Sequence, residues 1–265
     1  MWDSLVAQFT AFLSAHWPLL LGSSAAIFLA AIVRGFSGFG FSLLSITAIS
    51  LIMPAKEIVP SIFLLEVAAS LNLIPSIWRE IDWRGIAFLL LGYVVALPFG
   101  VYALANVPAP PMQIALGLFV IVTGIMMLSG FRLHKTPGAV ATTATGAASG
   151  ILNGAFGIGG PPVVLFYFST PAAAAVGRAS VIAFFLSTDT LGLAELGRNG
   201  LVTVQSFAQF VAWIPALLIG IAIGAKGFRH MDQAKFRRAV LIILVALAVL
   251  TLGKAAYDLM HPPAA

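Results

Sequence analysis

The chain has 265 residues, 60% of them hydrophobic and only 9% charged, with a formal net charge of +5. A soluble domain carries about 25% charged residues, so this chain cannot cover a water-facing surface, which excludes an ordinary soluble enzyme or binding module. The basic excess lies in loops between apolar runs, the usual orientation signal of a membrane protein, and does not indicate nucleic acid.

Apolar runs of about the length needed to cross a hydrocarbon core, roughly 17–25 residues, recur along the chain. Residues 1–16 are too mixed to span and are expected to form an interfacial segment; no basic region and cleavage site mark a signal peptide. The first half then offers segments at 17–34, 41–53, 57–77, 85–105 and 111–130. The second offers 138–153, 161–172, 176–196, 202–225 and 237–257. This divides the chain into a first transmembrane repeat over 17–130, a cytoplasmic linker over 131–137, a second repeat over 138–258, and a tail over 259–265. The fold class expected is all-α, a polytopic membrane protein with about 8–10 transmembrane segments. A β-barrel is excluded by runs such as Leu241 to Leu250, which is continuously apolar where barrel strands alternate.

Two glycine-rich breaks interrupt the apolar pattern: Arg34-Gly35-Phe36-Ser37-Gly38-Phe39-Gly40 and Asn153-Gly154-Ala155-Phe156-Gly157-Ile158-Gly159-Gly160-Pro161-Pro162. They lie about 119 positions apart, near the start of each half. Glycine releases backbone N–H and C=O groups from the helix ladder, which a membrane span tolerates only against protein or a water-filled cavity. Paired breaks at matching places in two halves point to a transporter binding site. Pro98-Phe99-Gly100 aligns near Leu218-Ile219-Gly220, extending the repeat. The loop at 104–112 has no Lys or Arg, whereas 226–238 holds Lys226, Arg229, Lys235, Arg237 and Arg238. Equivalent loops of opposite charge character belong on opposite sides of the membrane, which makes the repeats inverted, five crossings each. Arg79 and Arg84, like Arg132, His134 and Lys135 in the linker, read as cytoplasmic.

Both breaks read as a loop followed by a helix N-terminus, with Pro161 in a first turn that needs no N–H there. Converging helix N-termini favour an anion. The substrate-binding candidates are therefore Arg34, Ser37, Gly38, Phe39 and Gly40 from the first break, and Asn153, Gly157, Ile158, Gly159, Gly160 and Pro161 from the second. Arg34 would add charge and a fork of donors, or else sit at the interface. Gly146, Gly150 and Gly154, and likewise Gly220 with Gly224, read instead as faces for close helix packing. Ionisable residues inside spans are functional candidates; Glu66 and Asp189 lie deepest and are expected to couple transport to H+ or Na+, or to serve as structural hydrogen bonds. Arg178 opens a span and reads as interfacial, and Glu195 pairs with Arg198. The histidines lie in loops or termini without metal-ligand spacing, and with no cysteine in the chain, neither metal nor cofactor is expected.

The two motifs, Gly-Phe-Ser-Gly-Phe-Gly and Gly-Ala-Phe-Gly-Ile-Gly-Gly-Pro-Pro, resemble those of the sulfite exporter TauE/SafE family of bacterial membrane permeases, over about Ala25 to Lys254. The second is the more specific; the first departs from the pattern at Phe41-Ser42, where Gly-Gly or Gly-Pro is more usual. The resemblance implies a secondary transporter, an exporter of small sulfur-containing anions such as sulfite or organosulfonates, multi-pass in the bacterial inner membrane. A passive anion channel or a carrier for small carboxylates is the alternative; an enzyme is not expected. The partners implied are a small anionic solute, the lipid bilayer and a coupling H+ or Na+, with room for a homo-oligomer.

Overall fold

A computed structural model describes residues 2–71, 74–128, 137–169, 174–227 and 233–260. The regular elements among them are all helical: α1 (Trp2–Ser37), α2 (Phe41–Ile49), α3 (Ala55–Leu71), α4 (Ile74–Ile77), a 3-10 turn (Trp78–Glu80), α5 (Trp83–Asn106), α6 (Ala109–Leu128), α7 (Ala139–Phe156), α8 (Gly160–Ser169), α9 (Ala174–Arg198), α10 (Val204–Gly227) and α11 (Gln233–Met260). Most of the linker expected at 131–137, the loop residues Arg229 and His230, and most of the tail lie outside the described residues.

Among the described residues five helices are long and apolar enough to cross a membrane: Val6–Phe36, Trp83–Asn106, Ala109–Met126, Val176–Arg198 and Val204–Lys226. The outward face of α5 shows what surrounds them, since Val95 and Phe99 are 66% and 70% exposed. Large apolar side chains held outward along a whole helix suit lipid and not water. Inside, the largest fully buried side chains include Trp213, Tyr93, Phe41, Phe63 and Phe184.

No break separates residues 1–16 from the first span: α1 runs through Trp2–Ser37 with Pro18 inside it, because one proline removes one N–H and need not end a helix whose flanking turns are intact. Within the segment expected over 57–77 the structure describes α3 up to Leu71 and the short α4 from Ile74.

Close backbone approach decides which helices pair. Helix α7 lies along α5, and α1 lies along α10. A Cβ on Gly146 would fall onto the Leu89 carbonyl oxygen, and one on Gly154 would come within 2.7 Å of the Leu97 carbonyl oxygen. On the other pair, a Cβ on Gly224 would strike the Ile32 carbonyl, and one on Gly220 would sit 2.6 Å from the Ala31 Cβ. Small residues thus bring backbones together where lipid gives no hydrophobic drive between helices. In both pairs residue numbers rise together, so α5 and α7 run parallel, as do α1 and α10. Helices α6 and α11 run antiparallel, with Gly117 against Leu252 and Gly124 against Val245. Gly154 meets Leu97, Gly100 and Val101, while Gly35 meets Ile221 and Ala225; were the halves repeats, these contacts would match Gly100 to Gly224.

Candidate functional site

Both breaks are real interruptions, and they meet. Helix α1 stops at Ser37 and α2 starts at Phe41 after Gly40, whose φ is 91°. Helix α7 stops at Phe156 against Gly157, with φ 67°, and α8 starts at Gly160. These left-handed turns are where L side chains are strained, which explains glycine at both positions. Around the turns a small cavity is lined by Phe39, Gly40, Ser42, Leu43, Glu66, Asn153, Ile158, Gly159, Gly160, Pro161, Val164, Phe185 and Asp189. Its interior offers about 30 Å³ to water centres, enough for about two waters by the usual measure.

Each break contributes differently. In the first turn of α2, the N–H groups of Phe41, Ser42 and Leu43 have no intrahelical acceptor by position. Pro161 and Pro162 remove two such donors from α8, leaving that of Gly160. The N–H groups just before α8 are spent locally: Gly157 donates to the Asn153 carbonyl at 2.8 Å, and Gly159 to Asn153 Oδ1 at 3.0 Å. The first break therefore carries more of the donor capacity than the second.

Asn153 organises the second break. Its Nδ2 donates to the Tyr93 hydroxyl at 2.8 Å and reaches Asp189 Oδ1 at 3.5 Å. The Tyr93 hydroxyl donates onward to the Thr188 carbonyl at 2.7 Å, and Ser149 donates to the Gly159 carbonyl at 2.6 Å. Three helices and the turn before α8 are tied through one amide.

The first break is organised by charge. Arg34 is 3% exposed; its Nη1 is ion-paired with Glu66 Oε2, and its Nη2 donates to Ser70 Oγ at 2.7 Å. Ser42 donates to Glu66 Oε1 at 2.6 Å. Arg34 is thus a buried, engaged cation behind the cavity wall and not at the interface. Of the other candidates, Phe39, Gly40, Asn153, Ile158, Gly159, Gly160, Pro161, Glu66 and Asp189 line the cavity, whereas Gly38 and Gly157 do not. Gly38 faces the side chain of the exposed Arg178. The Ser37 side chain lies outside the described ones.

Sequence reading missed Tyr93 and Phe185. Tyr93 could have been found as the one tyrosine in the middle of the span over 85–105. Phe185 sits one turn before Asp189 on the same face of α9, the spacing at which helical side chains adjoin. Among the described residues no group of three or more His, Asp or Glu gathers as a metal would need.

The arrangement is that of broken helices enclosing a polar spot in an apolar bundle. Comparison with known proteins gives it a family: the profile of the sulfite exporter TauE/SafE family matches residues 23–251. The chain belongs to the sulfite exporter TauE/SafE family. It is 24% identical over 219 residues to a probable sulfite/organosulfonate exporter TauE of Cupriavidus necator, covering 81% of this chain and 85% of that one. It is 24% identical over 188 residues to a probable inner membrane transporter protein TsaS of Comamonas testosteroni, covering 70% of this chain and 78% of that one. No solved structure matches the chain. Membership makes the protein a multi-pass membrane transporter and not an enzyme.

Proposed function

We propose that the protein is a secondary exporter of small sulfur-containing anions, sulfite or an organosulfonate, in the bacterial inner membrane. The anion binds in the cavity between the two breaks, against the first-turn N–H groups of α2 and α8, and the two halves rock around it in alternating access. The observation that carries this reading is the meeting of both glycine turns at one cavity. Its small size means that the bundle would have to open further to admit an anion larger than water.

The preference for sulfur rests on the family and on its relatives' names. The inverted relation of the halves is part of the proposal. It is supported by the exchange of partners, α1 with α10 and α7 with α5, and by the antiparallel pairing of α6 with α11.

Counterflow of radiolabelled sulfite and isethionate (2-hydroxyethanesulfonate) into proteoliposomes tests the reading. Saturable, trans-stimulated flux is expected in the wild type, and its loss in Gly40→Leu and Gly159→Leu, with both variants still inserted. Near-normal flux in both would remove the site; non-saturable flux without counterflow would make the protein a channel.

A further inference from the structure

The two carboxylates that line the cavity keep different company. Glu66 is charge-balanced within the protein by Arg34, and Ser42 donates to its other oxygen. Asp189 is as deeply buried, at 4% exposure. Among the described residues no cation lies within ion-pair distance of it, and its partner is the neutral Asn153 amide at 3.5 Å. The repeat explains the difference. At the 119-residue offset Asn153 takes the place of Arg34, and Asp189 takes the place of Ser70, the residue that Arg34 holds in the first half. Where one half has an arginine facing a serine, the other has an amide facing an acid.

We propose that Asp189 carries an exchangeable proton, and that the protein moves each anion together with one H+. An uncompensated carboxylate in a low-dielectric interior is costly, and an anion entering the same cavity adds a second negative charge beside it. The carboxylate therefore takes up H+ from whichever aqueous side is open, forming one O–H bond on a carboxyl oxygen. The anion binds against that neutral acid. After the opposite side opens, the O–H bond breaks, the proton passes to water, and the carboxylate is restored as the anion leaves. For a monoanion the cycle carries no net charge. Glu66 serves as the fixed counter-ion of Arg34 and does not turn over.

The groups around Asp189 leave it as the free acceptor. Helix α3 brings Glu66, with Arg34 of α1 behind it, and its Glu57 turns to Gln205 at 3.4 Å. Helix α5 brings the Tyr93 hydroxyl, engaged with the Thr188 carbonyl, and α7 brings only Asn153. Helix α8 presents Pro161 and Val164 to the cavity, its Tyr167 hydroxyl standing instead near Gly85. Short α4 has no ionisable residue, and Arg79 and Glu80 of the 3-10 turn are exposed.

The inference rests on the transport reading, and one experiment separates the two. Proteoliposomes enclosing a pH-sensitive dye receive an inward gradient of isethionate, which does not itself carry a proton near neutral pH, while labelled counterflow of isethionate and sulfite is measured in parallel. Expected are lumen acidification that keeps pace with isethionate entry without a potassium ionophore, and apparent anion affinity that falls about tenfold per pH unit on the alkaline side. In Asp189→Asn the ratio of protons to anions should drop at least tenfold and the pH dependence flatten; Asp189→Glu should restore both. Anion flux without acidification in the wild type overturns the proposal and leaves the transporter standing, whatever the variants do. So does flux that falls tenfold when Na+ is replaced by N-methylglucamine. Absence of counterflow for both anions overturns the transport reading and the proton with it.

Discussion

The Arg34–Glu66 pair makes a sharp prediction, because both groups are almost fully buried, at side-chain exposures of 3% and 4%. Replacing Arg34 with Met leaves the Glu66 carboxylate with the Ser42 hydroxyl alone. Removing one partner of a buried pair costs about 3–5 kcal/mol, mostly as the penalty of an uncompensated charge. Glu66→Met should cost a similar amount, since Arg34 would retain only Ser70. Replacing both by Met removes the desolvation cost together with the attraction, and such exchanges are often neutral or stabilising. The double variant should thus recover most of the loss, a coupling of at least about 3 kcal/mol where independent sites add to within about 0.5 kcal/mol. The assay is unfolding of detergent-solubilised protein followed by tryptophan fluorescence, to which the fully buried Trp213, hydrogen-bonded to Ser23 between α1 and α10, reports. If the double variant is as unstable as the two single losses added together, the pair is not the charge-balanced unit described above.

Further expectations concern the turns, the packing faces, the exposed Arg178 and the topology. Gly157→Ala should cost about 1–2 kcal/mol in backbone strain plus a clash with Ile46 Cδ1 at 2.6 Å, read as a lowered unfolding midpoint. Gly22→Ala, where nothing lies within 4 Å of the added methyl, should leave stability unchanged or raised by up to about 1 kcal/mol. A loss at Gly22 equal to that at Gly157 would refute the distinction. Arg178→Gln should slow anion uptake severalfold at low ionic strength and scarcely at all near 1 M salt, where the Debye length is about 3 Å; an effect independent of salt would exclude steering by this exposed cation. Cysteines introduced as Asn106→Cys and Gln233→Cys should react with an impermeant thiol reagent from opposite sides of the membrane. Labelling from one side would reject inverted repeats.

Much of this architecture is written locally, and that part was legible in the chain itself. A composition so poor in charge can only be solvated by lipid, and continuous apolar runs in lipid must be helical, since each backbone group has to be satisfied within its own segment. Gly40 and Gly157 end or cap helices because of their own conformational range, so the two breaks could be located, although the helices before them run on past 34 and 153 to Ser37 and Phe156. The packing role of Gly146, Gly150 and Gly154 was likewise visible, since residues four apart share a helix face. What those signals could not state is which surfaces meet. Whether Gly100 is matched to Gly220 or to Gly224 in the proposed repeat turns on interhelical contact, and equal spacing of glycines left that choice open. The roles of the charged residues were decided entirely in three dimensions. Arg34 and Glu66 are 32 positions apart and Asn153 and Asp189 are 36 apart, and no local pattern pairs either set. Only the folded bundle places an arginine behind one carboxylate and an amide beside the other, because such pairing acts through distance in space, over a few ångströms that side chains close between α1 and α3 and between α7 and α9.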